Sequence, residues 1–110
     1  MEKNNEIVFF ETEDNQVKLS VTVEDETVWL NRSQLSELFG RDIKTIGKHI
    51  NNALKEELLE DNSVVAKFAT TASDGKTYQV EYYNLDMILS VGYRVKSNKG
   101  IIFRRWANNV

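Results

Sequence analysis

The apolar residues of this chain change their spacing at Asn31, and that change restricts the possible folds more than any other feature. From Val17 to Val23, apolar side chains recur at every second position, which is typical of a half-buried strand. After Asn31 they recur three and four positions apart, as they do on one face of a helix. The two patterns together predict an α+β fold.

Two β-hairpins are predicted on either side of a helical segment. Residues 13–15 supply turn chemistry in the first hairpin, which a short third strand follows. The pair Asp74-Gly75, one of the strongest hairpin signals, marks the second turn. The runs predicted as strands are residues 7–10, 17–23, 27–30, 64–70 and 77–83.

Two helices separated by Gly40 are predicted after the third strand. Asn31 or Ser33 can cap the first helix, Gly40 can end it, and Asp42 can cap the second. The predicted apolar face of the first helix is Leu35, Leu38 and Phe39. The predicted buried stripe of the second is Ile43, Ile46, Ile50, Ala53, Leu54 and Leu58, and we expect this helix to end near residues 60–62.

Two further helices are predicted at the C-terminus. Asn84 can cap a third helix, and residues 97–100 predict a break before a fourth. Their predicted apolar residues are Leu85, Ile88, Leu89 and Tyr93, then Ile101, Ile102, Phe103 and Trp106. We expect the fourth helix to be interrupted by the chain end at Val110, as in the N-terminal domain of a longer protein. The 110 residues suffice for one core, so we expect a single domain, 1–110.

The composition argues against an enzyme and against a membrane protein. His49 is the only histidine and cysteine is absent, so neither a zinc site nor a histidine-based triad can be assembled without help from another chain. No phosphate-binding glycine motif occurs. We therefore predict no catalytic residues, no metal and no cofactor. No signal peptide or membrane-length apolar run is present either, and a cytoplasmic location is expected.

Charge is distributed unevenly along the chain. Residues 1–30 hold two basic and eight acidic residues, a net charge of −6, although the whole chain carries only −3. Residues 31–55 hold five basic and two acidic residues, net +3, and residues 91–110 hold five basic residues and no acid. Such a distribution creates local positive fields on an acidic protein. A polyanion such as DNA would be repelled by the acidic N-terminal hairpin, so we expect this hairpin to make no contact with one.

The predicted helix pair satisfies the requirements of a DNA-binding helix-turn-helix between residues 32 and 55. With Gly40 as the ninth residue, a twenty-residue motif runs from Arg32 to Asn51, and a small residue, Ser36, falls where the helices approach. The residues predicted to meet base edges are Lys44, Thr45, Gly47 and Lys48, and Asn51 shares their outward face. Flanking phosphate contacts are predicted for Arg41, Asn52 and Lys55.

Two alternatives remain open at this stage. The helix pair could be an αα-hairpin used only for packing. The second β-hairpin could be a wing with phosphate contacts from Lys67 and Lys76, or a purely structural hairpin. Gly47 is unusual inside a helix, and close approach of a backbone would explain it.

Several segments resemble the N-terminal region of the RhuM family of bacterial proteins. The similar segments are residues 28–30, 34–52, 62–80, 82–86, 90–95 and 103–107. Members of that family are associated with virulence loci and described either as DNA-binding or as uncharacterised, so the resemblance implies a DNA-binding role. Residues 83–106 are also similar, more distantly, to the Bro-N domains of phage antirepressors.

These observations predict a DNA-binding module of a transcriptional regulator of mobile-element or virulence-locus type. Duplex DNA is the expected partner, bound by a homodimer on paired half-sites. One alternative is an antirepressor-like module that binds another protein through the same surface or through the acidic hairpin. Another is a structural N-terminal domain.

Overall fold

The computed structural model describes residues 6–24, 26–56 and 64–110. Its elements are β1 (Glu6–Glu11), β2 (Lys18–Glu24), β3 (Thr27–Asn31), α1 (Arg32–Phe39), α2 (Ile43–Glu56), β4 (Val65–Thr71), β5 (Thr77–Asn84), α3 (Leu85–Arg94) and α4 (Lys99–Ala107). This order confirms the predicted α+β arrangement of hairpin, short strand, helix pair, hairpin and two helices. Leu58 and the predicted end of α2 lie outside the described residues.

The described strands form one antiparallel sheet in the order β1-β2-β3-β5-β4. Strand β3 pairs with β5, which places Leu30 opposite Tyr83. This pairing joins the two hairpins into one sheet, although α1 and α2 lie between them in the chain. The second hairpin is therefore fixed to the sheet through β5, and β4 lies at an edge.

One face of the sheet and the four helices enclose the core. Paired residues such as Phe10 and Leu19, or Leu30 and Tyr83, share this face and are buried. The helix residues in the same cluster are Leu35, Leu38, Phe39, Ile46, Ile50, Ala53, Met87, Ile88, Val91, Val95 and Phe103. Burial of these side chains, at about 1.5–3 kcal/mol for each large one, is the main force that holds the helices on the sheet.

Helix α4 packs on strand β1 through aromatic side chains. The Phe10 ring meets the rings of Phe103 and Trp106 edge-on, each at a centroid distance of 5.1 Å. The prediction that this helix runs to Val110 is wrong, because it ends at Ala107 and the Asn108 amide donates to a carbonyl of the last turn. Its predicted apolar residues Ile101 and Ile102 are also largely exposed.

Helices α3 and α4 approach closely where glycines face each other. A Cβ on Gly92 would lie 3.0 Å from the Phe39 ring and 3.6 Å from the Gly100 Cα. Asn84 caps α3 as predicted, since its side chain accepts a hydrogen bond of 3.2 Å from the Met87 amide. Tyr93 is 84% exposed, so its predicted place on the apolar face is wrong.

Candidate nucleic-acid interface

Helix α1 has strong local signals at both ends. The Asn31 side chain accepts from the Gln34 amide at 2.9 Å, and the Gln34 side chain accepts from the Asn31 amide at 2.9 Å. This capping box satisfies amides that the first helical turn leaves without partners. At the other end Gly40 has φ 64° and donates to the Ser36 carbonyl at 2.9 Å. Left-handed backbone favours glycine, so both predicted signals are confirmed.

The turn between α1 and α2 is fastened by Ser36 and Arg41. The Ser36 hydroxyl donates to the Arg41 carbonyl across the turn. The Arg41 guanidinium donates to the Phe39 carbonyl at 3.3 Å and to the Val95 carbonyl, at the end of α3, at 3.1 Å. Arg41 therefore links the turn to the end of α3. The phosphate contact predicted for Arg41 is a separate role and stays a prediction.

Asp42 begins α2 and also orients Thr45. The Thr45 hydroxyl donates to the Asp42 carboxylate, and this bond is the main reason that the pKa of Asp42 is lowered. The Asp42 carbonyl accepts from the Ile46 amide at 3.0 Å. Thr45 is half-buried with its hydroxyl directed to Asp42, whereas the sequence placed it among the residues that meet base edges.

The outer side of α2 carries one continuous polar stripe. Lys44, Lys48, Asn51 and Lys55 follow one another at steps of four, three and four residues, and all four are exposed. On a helix these steps keep side chains on one face. The opposite side is buried through Ile46, Ile50 and Ala53, and Asn52 lies half-buried between the two sides.

Ile43 departs from the predicted buried stripe, because it is 49% exposed. Its spacing places it on the same side of α2 as Ile46 and Ile50. As the first residue of the helix, however, it borders the surface depression described next instead of packing in the core. Burial depends on a covering element as well as on the helical face.

A shallow depression of about 540 Å³ runs along the outer side of α2, and we call it the basic groove. Its lining residues are Arg32, Ile43, Lys44, Gly47, Lys48, Asn51, Asn52 and Lys55. None of these described lining residues is acidic, and four of them carry cationic side chains. Such a surface attracts polyanions.

Arg32 and Gly47 meet in the basic groove, which sequence reasoning did not foresee. Gly47 is buried, and a Cβ there would lie 3.0 Å from Nη1 of Arg32. Gly47 is therefore covered by the Arg32 side chain instead of lying on the outward face, and a side chain, not a backbone, makes the close approach. The glycine inside α2 indicated a close contact at this position. The local sequence pattern could not identify Arg32, fifteen positions earlier, as the partner.

The second hairpin presents Lys67 and Lys76 in different settings. Lys67 is exposed on β4 and lies opposite Glu81 of β5. Lys76 is exposed in the turn, where its amide donates to the Asp74 carboxylate at 2.9 Å. That bond, together with one of 2.7 Å from the Tyr78 hydroxyl, lowers the pKa of Asp74. Gly75 has φ 83°, as the predicted Asp-Gly turn requires.

Comparisons with known proteins give one family and no individual relative. No curated protein matches the chain, and no solved structure matches it. Within the described residues, no helix has the length and apolar character needed to cross a membrane, and no group of three or more potential metal ligands occurs. The model of the virulence protein RhuM family matches residues 63–110, and this match confirms the resemblance to that family that the sequence predicted.

Proposed function

We propose that this protein is a non-catalytic DNA-binding module in which α1 and α2 form a helix-turn-helix. The observation that carries the proposal is the outer side of α2, where Lys44, Lys48, Asn51 and Lys55 form an exposed stripe beside a groove bordered by Arg32. An α-helix fits the major groove of B-DNA, and lysine and asparagine donate to base edges and phosphates there.

The support beneath this helix suits a recognition element. Ile46 and Ile50 are buried, and Arg41 ties the preceding turn to the end of α3. The polar face of α2 is therefore presented by a helix whose other face is packed in the core. A reading helix needs such support, because side chains must reach base edges in a fixed orientation.

The hairpin of β4 and β5 follows α2 and is proposed to act as a wing. Its turn, residues 72–76, is largely exposed and carries Lys76. Lys76 is the stronger candidate for a phosphate contact, since Glu81 lies directly opposite Lys67 on the paired strand. Directly opposed residues on a sheet have Cβ atoms about 4.5–5.5 Å apart, so Glu81 offsets part of the charge of Lys67.

The biological setting follows from the family name and remains part of the proposal. The match to the RhuM family covers β4, β5, α3 and α4 and does not include α1 or α2. We propose a cytoplasmic regulator of virulence-locus or mobile-element type that binds duplex DNA as a dimer. Dimerisation is proposed from the common use of helix-turn-helix motifs on paired half-sites.

Titration of a labelled random DNA duplex at about 50 mM and about 200 mM salt tests the proposal. We expect the wild-type protein to bind, and to bind more weakly at the higher salt. Lys44→Ala combined with Lys48→Ala should weaken binding by about tenfold or more. Lys18→Ala is the matched control, because Lys18 is an exposed lysine of the acidic first hairpin. Unchanged affinity of the double variant at both salt concentrations would exclude α2 as the reader.

A protein-binding role is the second candidate, and strand β1 favours it. Ile7 is 52% and Phe9 is 76% exposed, and Glu6 and Glu11 flank them on this edge strand. Exposed apolar side chains on a sheet edge commonly mark a contact with another chain. An antirepressor-like module would bind a basic, apolar partner there. Phe9→Ser should then abolish partner binding and leave DNA affinity unchanged.

A further inference from the structure

Arg32 lies between two neighbouring depressions on the protein surface. One is the basic groove of α2. The other, about 510 Å³, is formed by the start of α1 and by β5, with Asn31, Ser33, Gln79, Val80, Glu81 and Tyr83 as its other lining residues. Arg32 lines both. A ligand that extended from α2 to the second hairpin would therefore pass over this side chain.

One hydrogen bond holds Arg32 from the side of the sheet, and a second one orients its partner Tyr83. Its Nε donates to the Tyr83 hydroxyl at 3.4 Å, and that hydroxyl donates to the Glu81 carboxylate at 3.2 Å. The Tyr83 ring is buried in the core, and burial is the main cause that raises the pKa of its hydroxyl. The hydroxyl therefore stays protonated at neutral pH and keeps its bond to Glu81.

Gly47 provides the space for Arg32 on the side of α2. The position of a Cβ on Gly47 lies 3.0 Å from Nη1 and 3.5 Å from Cζ of Arg32, so a side chain at this position would require the guanidinium to shift. Glycine is unfavourable inside a helix. Its presence here is explained by the room that it gives to Arg32.

We infer that Arg32 forms a phosphodiester-binding site at the junction of α2 and the second hairpin, with Gly47 leaving room for its guanidinium and Tyr83 as its positioning residue. This inference rests on the proposed function and adds a contact that the helix-turn-helix pattern did not include. A guanidinium presents planar paired donors, which match two phosphate oxygens. Nε faces Tyr83, and Nη1 lies next to Gly47 on the side of the basic groove.

The inference is tested by a cycle of Arg32→Ala, Gly47→Ala and the double variant, each titrated with random duplex DNA across a salt series. Arg32→Ala should weaken binding about tenfold and reduce the salt slope by about 1. Gly47→Ala should also weaken binding, by about threefold or more, because it displaces the guanidinium. In the Arg32→Ala background, Gly47→Ala should have no further effect.

Two other variants separate binding from structure. Tyr83→Phe keeps the buried ring and removes the hydroxyl, so it should weaken binding less than Arg32→Ala and leave the salt slope unchanged. Arg32→Lys keeps the charge and loses the planar donors, so it should retain the salt slope with lower affinity. Circular dichroism of every variant should show the wild-type helix content.

The outcomes distinguish this inference from the proposed function. If Lys48→Ala weakens binding while Arg32→Ala and Gly47→Ala do not, the Arg32 site is refuted and the proposed function stands. If Gly47→Ala weakens binding equally with and without Arg32, the role assigned to Gly47 is refuted. If the wild-type protein does not bind duplex DNA at either salt concentration, both the proposed function and the Arg32 site are refuted.

Discussion

The helix pairs α1–α2 and α3–α4 are built alike and present different surfaces. Each pair is joined by a short turn with one residue in left-handed backbone, Gly40 at φ 64° and Lys96 at φ 56°. Each also places a glycine against a neighbouring side chain. Gly47 receives the charged Arg32 at the surface, whereas Gly92 receives the buried Phe39 ring. Glycine thus makes room for a surface side chain in the first pair and for a core side chain in the second.

The outer surfaces of the two pairs also differ. Helix α2 presents a stripe of lysine and asparagine. The depression between α3 and α4, about 490 Å³, combines cationic Lys96 and Arg104 with exposed Tyr93 and Ile101. Both surfaces are basic, so total charge alone would not select one as the proposed DNA-binding surface. The regular polar stripe on α2 makes the difference, because it fits a groove lined by phosphates and base edges.

The largest expected effect comes from breaking the buried side of α2. Ile46→Asp places a carboxylate among the core residues between α1 and α2, and we expect it to lower the free energy of unfolding by more than about 3 kcal/mol. Lys48→Asp, on the exposed side, should lower it by about 1 kcal/mol or less. Urea denaturation measures both. Equal losses of unfolding free energy in the two variants would contradict the burial of Ile46 and the exposure of Lys48.

The two glycines give the next largest contrast. Alanine in place of either one gains the same helix propensity, so this gain cancels when the variants are compared. Gly92→Ala forces a methyl group against the Phe39 ring at 3.0 Å, while Gly47→Ala meets only the flexible end of Arg32. We expect Gly92→Ala to be less stable than Gly47→Ala by about 1–3 kcal/mol. Thermal and urea unfolding of the two variants test this, and equal stability would contradict it.

Alanine substitutions at two surface residues, Tyr93 and Lys48, should change stability little and differ in their effect on DNA affinity. Tyr93 is 84% exposed on α3, and Lys48 is exposed on α2. Alanine at either position should change the free energy of unfolding by no more than about 0.5 kcal/mol. Lys48→Ala should reduce affinity for duplex DNA, whereas Tyr93→Ala should not. If Tyr93→Ala lowered the affinity for DNA and Lys48→Ala did not, the proposed interface would move to α3 and α4.

The smallest expected effect is that of pH on amide exchange in the first turn of α2, compared with the first turn of α4. Asp42 has a lowered pKa because Thr45 donates to its carboxylate, whereas Asn98, before α4, makes no side-chain cap hydrogen bond. A lowered pKa contributes stability above the usual value of 3.8, and this contribution is lost as the pH falls through the lowered pKa. Amide exchange in the first turn of α2 should therefore accelerate below that pH.

The matched readout is amide exchange in the first turn of α4, where the cap residue Asn98 carries no carboxylate and makes no side-chain cap hydrogen bond. The Asp14 carboxylate acts on Lys99 of that turn only through its charge, so the acid-dependent acceleration there should be smaller than in α2. Asp42→Asn should remove the acid-dependent acceleration in α2. Acceleration of equal size in both helices, or its persistence in Asp42→Asn, would assign the effect to global unfolding.

The sequence by itself determined the order of the elements and most of their ends. Asn31 and Asn84 cap helices, Gly40 ends one, and Asp74-Gly75 forms the second turn, all as predicted. These signals act through hydrogen bonds and backbone angles within about four residues, so the local sequence contains all that they need. The alternation of apolar residues likewise identified the strands, because side chains on a strand point alternately to two faces.

Only the tertiary structure decided which residues of these elements are covered and which surfaces adjoin. The pairing of β3 with β5 brings Tyr83 to Arg32, 51 positions away, and this contact holds Arg32 at the border of the basic groove. Ile43 and Tyr93 have apolar spacing yet remain exposed, because none of the described elements covers them. Helical and strand periods fix the direction of a side chain relative to its own element. Its burial and its partners depend on how distant elements pack, which no local pattern contains.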